Sequence, residues 1–292
     1  MRWQPAELVA ARFETPSART LTLRVPAWPG HLPGQHMDVR LTAPDGYHAE
    51  RSYSLAAPAD GDLIELTVQR VPDGEVSGYL VDGLPIGASI EVRGPVGGWF
   101  VWRPDRGGPA VLIAGGSGIV PLVAMLRARR KSAAPNPFRV IYSLRDPEDL
   151  YYREELTASP GSASSAIGTE SARLIGSAAP ADRAAVDSAI LVGESSRGTT
   201  PGSGGPVHLA ESGPDGIDVF LAYTRSAPPG FERPAQRLTA EEIAQWSLPP
   251  GSEVTCYVCG PTPFVEFAAA ALVSAGHDPA MIRTERFGPT GK

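Results

Sequence analysis

Lysine is almost missing from this chain. Of its 26 basic residues only Lys131 and Lys292 are lysines, and arginine supplies the rest. Cysteine is equally scarce, with Cys256 and Cys259 the only two. Two thiols cannot furnish the four thiolates of a plant-type iron–sulfur cluster, so any such centre is expected on another protein. No apolar run approaches the roughly 20 residues that cross a bilayer, so no membrane span is expected. A positive excess is also lacking: 26 basic against 32 acidic residues leave a net charge of −6, which argues against a nucleic-acid partner. Met1-Arg2-Trp3-Gln4-Pro5 lacks the apolar core of a secretory leader, which makes the cytoplasm the default address.

What is present suits a folded protein of two domains. The chain has 292 residues, 42% hydrophobic and 20% charged. Its two cysteines form a C-x-x-C, open to a zinc or dithiol reading. They lie, however, in the apolar run from Val254 to Cys259, where strand positions three apart face opposite sides. No metal site is expected.

From Trp3 to Trp102 short alternating segments recur between Gly/Pro turns: Thr20–Val25, Met37–Leu41, Ile64–Val68 and Ser89–Val92. Such spacing predicts an antiparallel β-barrel, with a short helix at Gly78–Asp82. From residue 105 the pattern changes to strands alternating with helices. Ala110–Ala114 is a continuous apolar run, as a parallel strand buried on both faces requires, and it enters Gly115-Gly116-Ser117-Gly118 and a helix over Ile119–Arg130. Arg139–Ser143 and Ile217–Arg225 read as further strands, and Pro147–Leu156 and Leu238–Trp246 as helices. Val254–Cys259 reads as a strand, Phe264–Ala275 as a helix, and Ile282 onward as a last short strand. The expected fold is an N-terminal antiparallel β-barrel, residues 1–104, followed by an α/β parallel-sheet nucleotide-binding domain, residues 105–292. Residues 159–216, rich in Gly, Ser, Ala and Pro and including His208, read as a flexible surface insertion.

Four stretches stand in a particular order: Arg51-Ser52-Tyr53-Ser54, Gly115 to Pro121, Cys259-Gly260-Pro261, and Glu285-Arg286-Phe287-Gly288. Together with Gly74-Glu75-Val76-Ser77 and Gly94–Phe100 they resemble the ferredoxin–NADP⁺ reductase family of FAD-binding oxidoreductases over nearly the whole chain outside residues 159–216. The resemblance implies FAD on the barrel: Arg51 and the Gly74, Val76, Ser77 turn toward its phosphates, Tyr53 stacked on its ring and Ser54 as a hydroxyl donor. It implies a nicotinamide nucleotide on the second domain, held by Gly115, Gly116, Gly118 and Pro121. Ser143 and Arg145 at the ribose suit the 2′-phosphate of NADPH, with NADH the alternative. Arg225 is either a further phosphate contact or an ordinary surface arginine. Gly260 and Pro261 let the nicotinamide approach, Cys259 lies by the reacting carbon, Phe287 covers the flavin, and Glu285 polarises the centre or relays protons. Asp146 and Asp149 read as helix caps.

The implied activity is hydride transfer from NAD(P)H to flavin, then single electrons to a separate acceptor such as a ferredoxin or an oxygenase component. Arg127, Arg129, Arg130 and Lys131 form a candidate patch for an acidic acceptor, or a basic end that offsets the helix dipole. A reductase of small acceptors and a redox-silent nucleotide sensor are the alternatives, told apart by turnover on free flavin and by whether NADPH bleaches the bound flavin.

Overall fold

The computed structural model describes residues 1–105, 107–132, 136–157, 216–251 and 253–288. The expected insertion and His208 therefore lie outside the described residues, apart from Gly216.

The first half forms a six-stranded antiparallel sheet in the order β4-β3-β6-β1-β2-β5. Its strands are β1 (Gln4–Thr15), β2 (Ala18–Arg24), β3 (His36–Thr42), β4 (His48–Ser54), β5 (Leu63–Gln69) and β6 (Ser89–Val96). The two edges meet where Leu55 bridges Leu66 and Ala56 N–H donates to the Glu65 carbonyl at 2.8 Å, which closes the sheet on itself. Alternation sends Leu21, Leu23, Met37, Val39, Ile64, Leu66 and Val92 into one buried core. Helix α1 (Glu75–Gly78) closes one end and adds Val76 to that core. The helix expected at 78–82 is instead a π-type turn over Tyr79–Gly83. Arg19 explains the wider turn: its Nη1 reaches the carbonyls of Leu80, Val81 and Leu84 at 3.2, 3.3 and 3.0 Å and takes up groups that a regular helix would keep.

The second half is a five-stranded parallel sheet in the order β11-β10-β7-β8-β9. Its strands are β7 (Ala110–Gly115), β8 (Phe138–Leu144), β9 (Ile217–Tyr223), β10 (Thr255–Pro261) and β11 (Ile282–Phe287). Every residue of β7 is buried, as its unbroken apolar run requires. Helix α2 (Ile119–Lys131) covers one face together with Ala18 and Ala56 of the barrel, so this helix is the element on which the two halves meet. Helices α4 (Ala240–Trp246) and α5 (Thr262–Ser274) cover the other face, α4 starting in a reciprocal cap between Thr239 and Glu242.

The helix expected over 147–156 is broken into a 3-10 turn at Pro147–Asp149 and a short α3 at Arg153–Thr157. Tertiary contacts override the local pattern. Leu150, Tyr151 and Tyr152 are buried, and Tyr152 takes a left-handed φ of +53°. Its amide donates to Glu14 Oε2 at 3.1 Å and its hydroxyl to Thr67 Oγ1 at 2.6 Å, both on the barrel. Asp146 does not cap that turn with its side chain; its Oδ1 accepts instead from Ser226 Oγ at 2.7 Å.

The two cysteines face opposite sides of β10. Cys256 packs in one core with its sulfur 3.4 Å from His277 Nδ1, and Cys259 packs in the other. Among the described residues no metal-ligating cluster occurs, and no helix is long and apolar enough to cross a membrane.

Candidate functional site

Strand pairing builds the site. In the barrel, β3 and β4 set His36 opposite Ser54 and Met37 opposite Tyr53. In the parallel sheet, β10 and β11 set Cys259 opposite Glu285 and Pro261 opposite Phe287. The two halves touch where His36 Nδ1 lies 3.7 Å from Glu285 Oε1. His36 and Glu285 thus meet at a seam, with Ser54 next to His36 and Cys259 next to Glu285, whereas Tyr53, on the opposite face of β4 from Ser54, packs against the barrel core.

The groups on that seam are electrostatically unequal. Burial pushes the Glu285 carboxyl up to about 7, and its Oε2 is buried with no hydrogen-bond partner among the described residues. Burial lowers His36, partly opposed by the Asp38 carboxylate, so near neutrality its imidazole is uncharged. The Cys259 thiol is raised well above its ordinary value, first by burial and then by the charge of Glu285. It is therefore a neutral packing group and not a thiolate. Burial pushes the Tyr53 phenol up to about 12, with the Arg51 charge pulling the other way. Arg51 and Tyr53 thus act on one another from the same face of β4, as alternation requires.

Arg51 is exposed, and among the described residues its Nη1 donates to the Glu50 carbonyl at 2.7 Å. The turn ahead of α1 is more closed than its motif implied. Val76 points into the barrel core, and Ser77 Oγ accepts from Val71 N–H at 3.1 Å while donating to the Gly74 carbonyl at 3.3 Å. The Ser77 hydroxyl is thus spent within the turn, and what Gly74, Val76 and Ser77 can offer a phosphate is backbone. A Cβ on Gly74 would sit 2.5 Å from Ser77 Oγ, so glycine is required for the turn to close.

In the second half the glycines divide by role. A Cβ on Gly118 would lie 2.2 Å from the Cys259 carbonyl oxygen, and one on Gly260 would lie 3.2 Å from Gly115 Cα. Gly118 is therefore glycine because the start of α2 packs on the β10 backbone, and Gly115 and Gly260 are glycines because the Phe264 ring lies over both, 2.7 and 2.8 Å from where their Cβ atoms would be. Gly116 alone of the run has a positive φ, +57°, and open space beside its α-carbon. Pro121 is buried in the first turn of α2 and presents no open face. Ser143, in register with Gly115, ends β8 beside Arg145. The Arg225 amide donates to the Arg145 carbonyl at 3.0 Å, which brings the two arginines side by side. Both are exposed, and among the described residues neither guanidinium meets a carboxylate.

Half of the basic end of α2 is tied down, while Arg130, which donates to Glu155 Oε1 at 3.0 Å, and Lys131 are exposed. Arg127 donates to Glu155 Oε2 at 2.8 Å, to Glu65 Oε2 at 3.1 Å and to the Ala56 carbonyl at 2.9 Å, and Arg129 is buried with its Nε on the Asn136 carbonyl. Arg127 and Arg129 thus tie the helix down and are not available to a partner.

His36 was not singled out by its sequence. Its only signal was a lone imidazole in the alternating segment after Pro33-Gly34-Gln35, and its importance rests on strand pairing that sequence does not display. Gln35 supports it: Nε2 donates to the Gly97 carbonyl at 2.6 Å, and a Cβ on Gly97 would lie 3.5 Å from His36 Nδ1.

Comparison with known proteins matches residues 5–101 to the oxidoreductase FAD-binding domain and residues 112–169 to the oxidoreductase NAD-binding domain, together more than half of the chain. The chain belongs to the ferredoxin–NADP⁺ reductase-like family of FAD-binding oxidoreductases. It is 34% identical to methane monooxygenase component C of Methylosinus trichosporium over 43% of this chain and 36% of that protein. It is 35% identical to ferredoxin–NADP reductase B of Sorangium cellulosum over 52% of this chain and 63% of that one. The chain thus spans less than two thirds of the length of these relatives. In fold it is similar to the FAD/NAD-binding domain of nitric oxide dioxygenase from Vibrio cholerae, at a TM-score of 0.69 and 20% identity over 98% of this chain and 99% of that one.

The cofactors of this reductase-like family, FAD and NAD(P), fit the geometry. The orphaned Glu285 Oε2 and the open side of Gly116 are places where a bound group would supply what the protein leaves unmet.

Proposed function

We propose that this chain is an FAD-dependent NAD(P)H reductase that feeds single electrons to a separate acceptor, a ferredoxin or an oxygenase component. The single observation that carries the reading is the seam where His36 and Ser54 of the barrel face Glu285 and Cys259 of the parallel sheet, across 3.7 Å from His36 to Glu285. When bound, FAD supplies the chemistry of taking two electrons as hydride and releasing them one at a time.

The chain's own part is alignment and proton handling. Tyr53 offers a half-buried ring for stacking, Arg51 an exposed guanidinium for phosphate, and the 74–77 turn its backbone. Gly115, Gly118, Gly260 and Pro261 keep the ends of β7 and β10 close to the seam, where they would hold a nicotinamide near Cys259. Fixing two reactants in this way can remove roughly 7–11 kcal/mol of barrier. Glu285, titrating near neutrality, holds or releases a proton where the rings meet. The adjacent Arg145 and Arg225 at the ends of β8 and β9, with Ser143, favour NADPH over NADH. The boundary between the flavin and nucleotide domains is proposed at residues 104/105. The protein partner is suggested by relatives described as a monooxygenase component and a ferredoxin reductase.

Anaerobic stopped-flow reduction of the purified yellow protein tests this reading. NADPH should bleach the flavin faster than NADH, and Arg145→Ala should cut that preference about tenfold. A flavin that neither nucleotide reduces would leave only a silent binder. Turnover on free flavin as fast as on any ferredoxin would make small molecules the acceptors.

A further inference from the structure

A cavity of about 280 Å³ lies at the far end of the parallel sheet from the seam, between the 98–108 segment that leaves the barrel and the first half of β10. Arg283 of β11 lines it. Its Nη1 donates to the carbonyls of Trp99 and Val101 at 3.1 and 2.8 Å, and its guanidinium lies 5.2 Å from the Trp99 ring and 5.6 Å from the Tyr257 ring. Among the described residues no carboxylate pairs with it, and its Nε is buried without a partner. Trp102, another lining residue and only 2% exposed, also carries a buried Nε1 without a partner. Its indole edge lies against the Gly107 wall, where a Cβ would sit 2.7 Å from Nε1. Arg103 lines the same space, and no lining residue is acidic.

The two side chains that carry these unmet N–H groups line one cavity together with a second arginine, Arg103. Buried donors are normally met, and here the missing complement is a negatively charged acceptor. We propose that this cavity binds a small oxyanion, a phosphate or a carboxylate, that accepts from Arg283 Nε and Trp102 Nε1. The occupant would touch both the barrel's exit loop and β11, whose Glu285 stands two residues beyond Arg283. It would therefore brace the joint between the two halves.

The test uses the flavin-loaded chain, with inorganic phosphate and acetate compared against chloride at matched ionic strength. The thermal midpoint should rise saturably with one of the oxyanions and not with chloride. Trp102→Phe keeps the ring and loses the N–H, and Arg283→Lys keeps the charge and loses Nε. Each should weaken oxyanion binding about tenfold with flavin content unchanged, while Arg145→Ala should not alter it. The proposal is overturned if the wild-type chain shows no saturable rise, or if affinity survives both cavity variants. It is overturned equally if Arg145→Ala abolishes the shift, since the oxyanion would then sit in the nucleotide cleft.

Discussion

Glu285 is a carboxyl held where water is scarce, beside the His36 imidazole and the Cys259 thiol. Burial raises it from 4.5 to about 7, so the folded chain binds a proton there more tightly than the unfolded chain. Its contribution to stability is whole below pH 4.5 and is lost as pH rises toward 7, on the order of 3 kcal/mol in all. Glu285→Gln removes the titration. Urea unfolding between pH 4.5 and 8 should therefore give a flatter profile for the variant and greater stability than the parent at pH 8; parallel profiles would show that the carboxyl is not buried as described. Gly118 tests packing at the same scale. Its φ of −61° suits alanine, yet the new methyl would lie 2.2 Å from the Cys259 carbonyl oxygen. Gly118→Ala should destabilise by about 1–3 kcal/mol and slow flavin reduction up to about a hundredfold by displacing β10, and a wild-type rate would exclude that displacement. Residues such as Tyr53, Cys259 and Glu285 could be proposed from sequence because their motifs are contiguous. His36 was not, because its meaning depends on pairing with Ser54 across a hairpin and on contact with a strand nearly 250 positions later.

At the scale of elements, what could be read locally was the alternation of the barrel strands, the buried run of β7 and the start of α2. What could not was any stretch whose shape is set from outside. The 147–156 segment has the composition of a helix and is broken because Tyr152 is pulled onto the barrel. There its hydroxyl meets Thr67, which also bonds Thr20 at 2.7 Å, and Arg127 lies 4.9 Å from its ring. Arg127 was read as a docking cation for the same reason: a basic helix end looks exposed until Glu65 and Glu155 are folded against it. This clasp carries its own prediction. Arg127→Met leaves Glu155 with Arg130 alone, Glu65 with Arg12 at 3.6 Å and the Ala56 carbonyl without its donor, and should cost about 1–3 kcal/mol in chemical denaturation. A loss below 1 kcal/mol would reduce the clasp to an ordinary surface pair.

For the whole molecule, the question is whether barrel and parallel sheet are independent bodies or one. The contacts favour one. Ala18 and Ala56 of the barrel are buried in the core that α2 forms on the parallel sheet, and Tyr257 Oη donates to the Val101 carbonyl at 2.9 Å. Tyr152, Arg127 and the His36–Glu285 contact add three more ties at separate points. Losing the nucleotide half would expose apolar barrel surface and remove the Tyr152 groups that Thr67 and Glu14 bond, so the halves should unfold together. Heating the flavin-loaded chain while following both flavin release and tyrosine–tryptophan fluorescence should give a single coincident transition. In Arg127→Met the two signals should separate, with the nucleotide half melting first because it has lost its anchor on the barrel. Separate transitions already present in the parent chain would mean that the seam is assembled only when a nucleotide draws the halves together. Alignment of the rings would then be a consequence of binding and not a property of the fold.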